Sequence, residues 1–351
     1  MSKLLRCGDA QFRPASKKRL AHIYLSCPGE GRDLAFRPTA QEFTPTLLRL
    51  MPLFGIHLEI TKLQTLTEIA TLRAALTSAR REGKTIGLVP TMGAFHEGHL
   101  TLMRRAKAEN DLVVVTLFVN PTQFTDLDDF DRYPRDPAHD AELASAEGVD
   151  ILFTPTPEEV YPKGFDTVVV VRALSERLEG GSRPGHFAGV STVVTKLLNL
   201  AGADRAYFGE KDWQQLQVIH ALARDLDIPT EIIGVPTVRE SDGLALSSRN
   251  VRLTPEQRSA ALVLSAALDN AQAIADTSVQ DAYQLAAWMR QTIEVQALAR
   301  VDYAVVVSPD TLQEIDTIEN GAVALVAATF GKVRLLDARL LCAAPATNIR
   351  R

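Results

Sequence analysis

The sequence predicts a doubly wound α/β fold: a Rossmann-like parallel sheet followed by a smaller C-terminal α+β domain. Short apolar runs alternate with helical patterns from residue 57 to residue 236, as in repeated βα units. One run, Leu112–Val119 (LVVVTLFV), is apolar except for one threonine, which is typical of a strand covered on both faces. After about Pro236 the pattern changes to two helices and then three short strands joined by turns.

The N-terminal segment differs in composition from the rest of the chain. Residues 1–50 carry nine Lys and Arg against four Asp and Glu, whereas the whole chain has a net charge of −5. We expect residues 1–56 to be a disordered extension that plays no part in the fold. An organellar transit peptide, which would also be basic and acid-poor, is the alternative, and Met51 is a plausible alternative start.

The nucleotide- and substrate-binding domain is predicted over 57–236. Its first helix is expected to start at the capping-box pair Thr65 and Glu68 and to stop at Gly83. Strands are predicted at 57–61, 86–89, 112–119, 150–153, 168–171, 206–208 and 231–235. Further helices are predicted at 100–109, 136–147, 191–200 and 213–226.

The smaller domain is predicted over 237–342, closing over the site, and 343–351 is expected to be a tail. Thr254-Pro-Glu-Gln257 predicts a helix start, because Thr caps well and Pro suits the first helical position. A second helix is predicted at about 279–299. Strands of an antiparallel sheet are predicted at 301–307, 322–329 and 333–337.

Composition excludes several classes of function. The net charge of −5 provides no strong basic field for duplex nucleic acid. No apolar run approaches the ~20 residues that cross a bilayer, so neither nucleic acid nor membrane is an expected partner. Cys7, Cys27 and Cys342 lie far apart and fit neither a disulfide framework nor a zinc knuckle. A reducing cytoplasm is therefore the predicted compartment.

The first polar cluster, Pro90–His99 (PTMGAFHEGH), follows a predicted strand and opens a helix. Gly93 and Gly98 allow close backbone approach, and a helix N-terminus favours anions. His96 and His99 can both donate hydrogen bonds to a bound phosphate. A zinc pair or surface histidines would have the same spacing, but zinc needs further ligands. A Walker A loop is absent, so a nucleotide would be held in another way.

Two further clusters follow later strands. Asn120–Phe124 (NPTQF) supplies amide groups suited to a small hydroxylated acid, although Asn-Pro is also a common turn start. The Gly-rich segment 180–189 carries Arg183 and His186 and is predicted to be a loop before a helix at Ser191. Such a loop binds an anion, closes over a site or merely connects two elements.

The last two clusters carry cationic side chains. In Phe208–Gln215 (FGEKDWQQ), Lys211 offers a charge for a phosphate, and Asp212 is suited to Mg²⁺ or a ribose. The alternative is a solvated loop with Asp212 as a helix cap. In Arg239–Asn250, Ser247, Ser248 and Arg249 have the chemistry of a phosphate clamp. Ser248 is not expected to be a hydrolase nucleophile, because GxSxG is missing.

In this order and spacing, the five segments resemble the pantothenate synthetase family, over about residues 57–337. PTMGAFHEGH is similar to the HxGH signature that this family shares with a wider nucleotidyltransferase superfamily. Phe95 stands where the family usually has Leu. The family often has an acidic residue near His139, and Asp140 is the closest candidate. The protein ligand to Mg²⁺ stays unknown, and residues 1–56 have no counterpart.

The resemblance implies ATP-dependent condensation of (R)-pantoate with β-alanine through a pantoyl-adenylate. Mg²⁺ assists, AMP and pyrophosphate leave, and the product serves coenzyme A biosynthesis. Catalytic roles are implied for His99, His96, Lys211 and Arg249, and a homodimer is implied. Substrate contacts are implied for Gln123 and Gln215, with Asn120, Arg183 and His186 near the substrates. The implied ATP-binding residues are Met92, Gly93, Ala94, Phe95, His96, Glu97, Gly98, His99, Gly209, Glu210, Lys211, Asp212, Val238, Leu246, Ser247, Ser248 and Arg249.

The chemistry agrees with these residue types. Two anionic reactants must meet, and His96, His99, Lys211, Arg249 and Mg²⁺ are suited to offset their charge. The rival hypotheses are an adenylyltransferase of the nicotinamide-mononucleotide or phosphopantetheine type, a class I aminoacyl-tRNA synthetase, and a non-enzymatic binding protein. NPTQF and SSRN favour the ligase over the first. The short, acidic chain argues against the second, and the retained polar residues argue against the third.

Overall fold

The computed structural model describes residues 63–277, 281–319 and 321–341, together with three short strands nearer the N-terminus. These are β1 (His22–Ser26), β2 (Asp33–Phe36) and β3 (His57–Glu59), which pair antiparallel in the order β2-β1-β3. The segment 1–56, expected to be a disordered extension, thus contains β1 and β2. Its remaining residues and the predicted tail lie outside the described residues.

The centre of the first domain is a six-stranded parallel sheet with the strand order β4-β7-β6-β5-β8-β9. The Rossmann-like fold class predicted from the sequence is confirmed. The strand order changes direction between β5 and β8, because β6 and β7 lie on one side of β5 while β8 and β9 lie on the other. This position is the topological switch point of the sheet. The strands are β4 (Gln64–Leu66), β5 (Ile86–Thr91), β6 (Leu112–Leu117), β7 (Ile151–Phe153), β8 (Arg205–Gly209) and β9 (Glu231–Val235).

Helices connect these strands and cover both faces of the sheet. One face packs on the cluster that contains Leu72, Val194 and Ile219, and the other on the cluster that contains Met103 and Ala144. The helices are α1 (Ile69–Arg81), α2 (Glu97–Glu109), α3 (Leu127–Asp131), α4 (Pro137–Ala146), α5 (Pro157–Val160), α6 (Arg172–Ser175), α7 (Glu179–Ser182), α8 (His186–Ala201) and α9 (Trp213–Asp225).

The edge of the sheet differs from the prediction. His57–Glu59 pairs with β1, and the outer strand of the parallel sheet is β4. The capping-box prediction at Thr65 and Glu68 is wrong, because Thr65 lies in β4 opposite Leu152. Helix α1 instead starts after Glu68, whose side chain makes no cap hydrogen bond. Pairing with β7 therefore overrides the local helix signal.

Two predictions around the Gly-rich segment are also corrected. No strand occurs over 168–171; the Val169 amide donates to Thr192 Oγ1 at 3.0 Å instead of to a neighbouring strand. Helix α8 begins at His186, five residues before the predicted start at Ser191. Gly189 therefore lies inside a helix, where it permits close packing. An added Cβ there would lie 2.3 Å from the carbonyl oxygen of Thr122.

The C-terminal part is an antiparallel sheet in the order β10-β11-β12, packed against three helices. The capping box at Thr254 and Gln257 is confirmed. The predicted start of the second helix at Val279 lies outside the described residues. The helices are α10 (Pro255–Ala260), α11 (Leu262–Ala275) and α12 (Ala282–Glu294), and the strands are β10 (Ala299–Val307), β11 (Ala322–Phe330) and β12 (Val333–Leu341).

The two sheets share one apolar cluster. Val307, Val323 and Leu325 of the antiparallel sheet pack in the same core as α8 and α9. The C-terminal sheet is therefore seated on the side of the parallel sheet that bears these two helices. Among the described helices, none combines the length and the apolar character that a bilayer span requires.

Candidate active site

A cavity opens at the carboxyl ends of β5, β6 and β8, at the point where the strand order changes direction. Ligands of open α/β sheets bind at such a reversal. All but five of the predicted site residues line this cavity. The lining ones are Met92, His96, Gly98, His99, Asn120, Gln123, Arg183, His186, Gly209, Lys211, Asp212, Gln215, Val238, Leu246, Ser247, Ser248 and Arg249.

Three residues behind the cavity form the turn that precedes α2. The amides of Ala94 and Phe95 donate to the two oxygens of the Asp140 carboxylate at 2.9 and 2.7 Å. Gly93 has φ +83°, and a Cβ there would lie 2.8 Å from the same carboxylate. Asp140 is 1 % exposed. The candidate for the family's acidic residue near His139 thus holds the turn rather than lining the cavity.

The two remaining predicted residues outside the cavity face elsewhere. Glu97 is exposed and forms an ion pair with Arg104 on the outer face of α2. Glu210 lines a separate pocket at the junction of the two sheets, next to Trp213 and Arg339. Burial raises the pKa of Glu210. We therefore do not place either side chain against a nucleotide in the cavity.

The two histidines of the first cluster are neutral hydrogen-bond donors. The His96 amide donates to His99 Nδ1 at 3.3 Å, and the Gly98 amide donates to His96 Nδ1 at 3.2 Å. Each ring therefore carries its proton on Nε2. Burial, with Lys211 nearby, lowers the pKa of His96 to about 4. Burial, with His96 and Lys211, lowers the pKa of His99 to about 3. Both rings are uncharged at neutral pH. They therefore cannot offset the charge of the anionic reactants, as expected from the sequence, but they can donate hydrogen bonds to them.

The NPTQF segment is held by a network centred on Asn120, which is fully buried. Asn120 Nδ2 donates to Gln123 Oε1 at 3.1 Å and to the Gly189 carbonyl at 3.2 Å. Tyr161 donates its hydroxyl to Asn120 Oδ1 at 2.8 Å. The Gln123 amide group also donates to the sulfur of Met92 at 3.1 Å. Asn120 thus orients Gln123, and Gln123 presents its side chain to the cavity.

Arg183 and His186 contact the backbone carbonyl of Gln123. His186 Nδ1 lies 2.7 Å from the Gln123 carbonyl, and His186 Nε2 lies 3.3 Å from a guanidinium nitrogen of Arg183. A guanidinium can only donate, so Nε2 accepts and Nδ1–H donates to the carbonyl. Burial, reinforced by Arg183, lowers the pKa of His186 to about 4. Arg183 therefore provides the positive charge at this end of the cavity.

Lys211, Asp212 and Gln215 line the cavity at the carboxyl end of β8. Asp212 precedes α9, but its side chain makes no cap hydrogen bond. The capping alternative for this residue therefore receives no support. Lys211 Nζ lies 3.7 Å from Asp212 Oδ1, and the Lys211 side chain is only 17 % exposed. A partly buried ammonium next to the two neutral histidines is suited to bind a phosphate.

Sequence reasoning missed a carboxylate that pairs with the SSRN segment. Asp129 of α3 accepts from Arg249 Nη2 at 2.9 Å and from Arg252 Nη1 at 2.6 Å. Tyr133, buried beside it, lies with its hydroxyl 3.4 Å from Ser248 Oγ. The variable stretch after Phe124 therefore contacts the SSRN segment. Asp129 and Arg249 are 120 residues apart in the sequence, so no local pattern could have predicted this contact.

The apolar wall of the cavity was also missed as part of the site. Its residues come from α8 and from the end of β6. They are apolar, and the sequence pattern alone does not distinguish them from ordinary core residues. They are Phe118, Val190, Val193, Val194 and Leu197. The cavity thus combines one apolar wall with cationic and hydrogen-bonding groups, as small-molecule sites generally do.

The donor set argues against a metal cage built from protein alone. In the described ranges, no group of three or more His, Cys, Asp and Glu side chains is arranged to hold a metal ion. Among the described residues, His96 and His99 therefore have no further side chains with which to form a zinc site. Asp212 is the sole carboxylate among the described residues that line the cavity. This set fits a Mg²⁺ ion bound chiefly through phosphates and water.

A doubly wound parallel sheet with an anion-binding cavity at its reversal defines a nucleotide-binding α/β protein of the Rossmann-like class. The family model described as pantoate–β-alanine ligase matches residues 64–340. The chain belongs to the pantoate–β-alanine ligase family, an enzyme family of ATP-dependent ligases. The resemblance inferred from the five segments is confirmed.

Relatives and solved structures cover most of the chain. A pantothenate synthetase of Agrobacterium fabrum is 52% identical over 275 residues, 78% of this chain and 94% of that protein. One of Heliobacterium modesticaldum is 51% identical over 257 residues, 73% of this chain and 92% of that protein. Crystalline pantothenate synthetase of Thermus thermophilus has a TM-score of 0.75 at 46% identity, covering 79% of this chain and 98% of that chain.

A further solved structure contains ligands. The pantoate–β-alanine ligase of Francisella tularensis was crystallised in complex with β-γ ATP and β-alanine. It has a TM-score of 0.66 at 36% identity and covers 80% of this chain and 98% of that chain.

Proposed function

We propose that this protein condenses (R)-pantoate with β-alanine in an ATP-dependent reaction that passes through a pantoyl-adenylate and releases AMP and pyrophosphate. The product is pantothenate, a precursor of coenzyme A. The supporting observation is that five separate polar segments line one cavity in a chain of this family. The ATP and β-alanine bound by the Francisella tularensis relative agree with this reaction.

The first step requires two anions to meet. Pantoate's carboxylate is already ionised at neutral pH and needs no general base before it attacks the α-phosphorus. The difficulty is the charge that moves onto the departing pyrophosphate. Lys211 and Arg249 would bind the phosphates, and Ser247 and Ser248 would hold them beside Arg249. Fixed donors and cations of this kind do most of the work in phosphoryl-type transfers.

The two histidines would act as donors in this step. Their Nδ1 atoms are occupied by backbone amides, so each Nε2–H remains to bind a phosphate oxygen. Neutral rings donate in this way without any change of protonation state. His99, which is the more deeply buried of the two, is assigned the catalytic role, and His96 the supporting one.

The second step occurs at the other end of the cavity. Gln123 and Gln215 would bind the hydroxyl and carboxylate oxygens of pantoate, and the apolar wall from α8 would contact its methyl groups. Arg183 would bind the carboxylate of β-alanine. The amine of β-alanine is mostly protonated at pH 7, as its pKa is near ~10, and it must lose a proton before attacking the adenylate carbonyl.

Mg²⁺ would join the nucleotide rather than a preformed protein cage. When bound, it would offset the negative charge of the phosphates. Asp212 is the cavity carboxylate that could contact the ion or its water.

We also infer that the enzyme works as a cytoplasmic homodimer. Val168 and Val170 are 64 % and 53 % exposed, whereas Val169 and Val171 pack against the core. This alternation leaves an apolar edge that a second copy would cover. Sedimentation of a Val168→Lys, Val170→Lys variant checks this: it should be monomeric, and an unchanged dimer would place the interface elsewhere.

The proposed reaction is tested by AMP release with ATP and Mg²⁺. Pantoate and β-alanine are supplied singly and together, and the products are identified by mass. We expect sustained AMP release and pantothenate only with both substrates. A dinucleotide-like product with a nucleotide acceptor would support the rival adenylyltransferase, and the absence of AMP under all conditions would overturn the proposal.

The intermediate has its own test. Labelled pyrophosphate should exchange into ATP when pantoate is present and β-alanine is absent, because formation of the adenylate is reversible. Omission of pantoate is the control. A catalytically active enzyme that shows no exchange would argue against a free pantoyl-adenylate.

A further inference from the structure

A buried ion pair joins the segment that carries Arg183 and His186 to the C-terminal sheet. Glu179 begins the short helix α7 and is 5 % exposed. Its two carboxylate oxygens accept from the two Nη atoms of Arg334 at 2.6 and 2.7 Å. Tyr303 donates its hydroxyl to the same carboxylate at 2.7 Å. One side chain of the parallel-sheet layer is therefore held by β10 and β12.

The backbone links Glu179 directly to the cavity residues. The Arg183 amide donates to the Glu179 carbonyl at 2.8 Å, and the His186 amide donates to the Arg183 carbonyl at 3.0 Å. The Glu179 amide in turn donates to Gln214 Oε1 at 3.0 Å, on the helix that follows Lys211. A displacement of Glu179 would thus be passed to Arg183 and His186 through consecutive hydrogen bonds.

The local backbone does not hold this conformation by itself. Leu178, immediately before Glu179, has φ +48°, in the left-handed region that residues with a side chain rarely adopt. Such conformations persist only where the surroundings enforce them. Arg334 is itself fixed, because its Nε donates to Asp302 Oδ2 at 2.5 Å.

The ionisation states agree with a permanent pair. Burial alone would raise the pKa of Glu179, but its hydrogen bonds to Arg334 and the charge of that guanidinium outweigh burial and lower it. Burial, together with the Glu179 charge, raises the pKa of Tyr303 well above its ordinary value. The carboxylate is therefore ionised and the phenol protonated throughout the neutral range.

We propose that Glu179 is a positioning residue through which the C-terminal sheet sets the placement of Arg183 and His186 at the substrate end of the cavity. This rests on the proposed function, in which Arg183 binds the carboxylate of β-alanine, and His186 contacts both Arg183 and the Gln123 carbonyl. Arg249, at the nucleotide end, is held by Asp129 and not by Glu179. Loss of the Glu179 contact therefore affects pantoate and β-alanine more than ATP.

The test uses the full-length enzyme and three variants: Glu179→Gln, Arg334→Met and the double variant. For Glu179→Gln we expect kcat/KM for pantoate and β-alanine to fall by ~10–10²-fold, the scale of lost positioning. The KM for ATP should change less than about threefold, since uniform binding at the nucleotide end is retained. Asp150→Asn, which breaks a buried ion pair with Lys107 far from the cavity, is the control and should keep wild-type kinetics.

The double variant separates positioning from stability. Arg334→Met leaves the buried Glu179 carboxylate without its guanidinium, whereas the double variant carries no charge at position 179, so its melting temperature should exceed that of Arg334→Met. Its kcat/KM for the carboxylic substrates should nevertheless stay low, because the tether is gone. Recovery of wild-type kinetics in the double variant, or an equal effect on ATP, would overturn the proposal. A wild-type enzyme without pantoate-dependent AMP release would instead refute the proposed function.

Discussion

Replacing Asp140 by Asn should disturb the turn that carries the two site histidines, although residue 140 does not line the cavity. Both carboxylate oxygens accept backbone amides, from Ala94 and Phe95. An Asn side chain keeps one acceptor and turns the other into an amino group that faces an amide N–H. Both groups would then be donors, inside a site where Asp140 is 1 % exposed.

The magnitude follows from these two hydrogen bonds. A hydrogen bond to a charged group contributes about 1.5–3 kcal/mol, and an unsatisfied buried donor costs about 1–3 kcal/mol. Asp140→Asn should therefore lower the free energy of unfolding by about 2–4 kcal/mol. Because His96 and His99 follow the turn directly, kcat should also fall by ~10²-fold, the cost of misplacing reacting groups by roughly 1 Å.

The assay combines urea unfolding at pH 7 with steady-state AMP release. Asp150→Asn is the matched control: its carboxylate is also largely buried and accepts the Val113 amide at 2.8 Å. It should lose stability while its activity stays near that of the wild type. Wild-type turnover in Asp140→Asn, despite the loss of stability, would refute the idea that this carboxylate positions the histidines.

The other predictions concern single groups. His99→Ala should lower kcat by ~10²-fold or more with an unchanged circular-dichroism spectrum; near-normal turnover would remove His99 from the mechanism. Gly189→Ala should raise the KM for pantoate, because its Cβ would lie 2.3 Å from Thr122 O and 2.6 Å from Gln123 N; unchanged KM values would show that the NPTQF backbone can yield without consequence. Stability should fall as the pH drops from about 6.5 towards 4, because the lowered pKa values of His96, His99 and His186 make the unfolded chain bind more protons there than the native one. Urea unfolding across this range checks the slope, which His186→Gln should reduce; equal stability at pH 6.5 and 4.5 would contradict the assigned burial of these rings.

The main features of the fold were predictable from local pattern. Leu112–Leu117 is buried on both faces of the sheet, as its continuous apolar run predicted. The capping box at Thr254 and Gln257 formed because both partners lie within one helical turn. The five polar segments were recognisable for the same reason, since each is contiguous in sequence; all except the Gly-rich segment 180–189 lie at or just after the end of a strand.

Local pattern misled where a distant contact decided the outcome. Thr65 has capping-box spacing, but its pairing with Leu152 places it in a strand. The Gly-rich segment predicted a loop up to Ser191, but close packing of Gly189 on Thr122 lets α8 start earlier. In both cases a partner far away in sequence outweighed the local preference.

The sequence by itself therefore determined the alternation of strands and helices, the position of four of the five polar segments at strand ends, and the family. Tertiary structure alone decided that Asp140 supports the histidine turn, that Asp129 pairs with Arg249, and that Glu179 reaches Arg334. It also decided that the site histidines are neutral. The physical reason is range: periodicity and capping act within a few residues, whereas burial, ion pairing and pKa depend on groups that only the folded chain brings together.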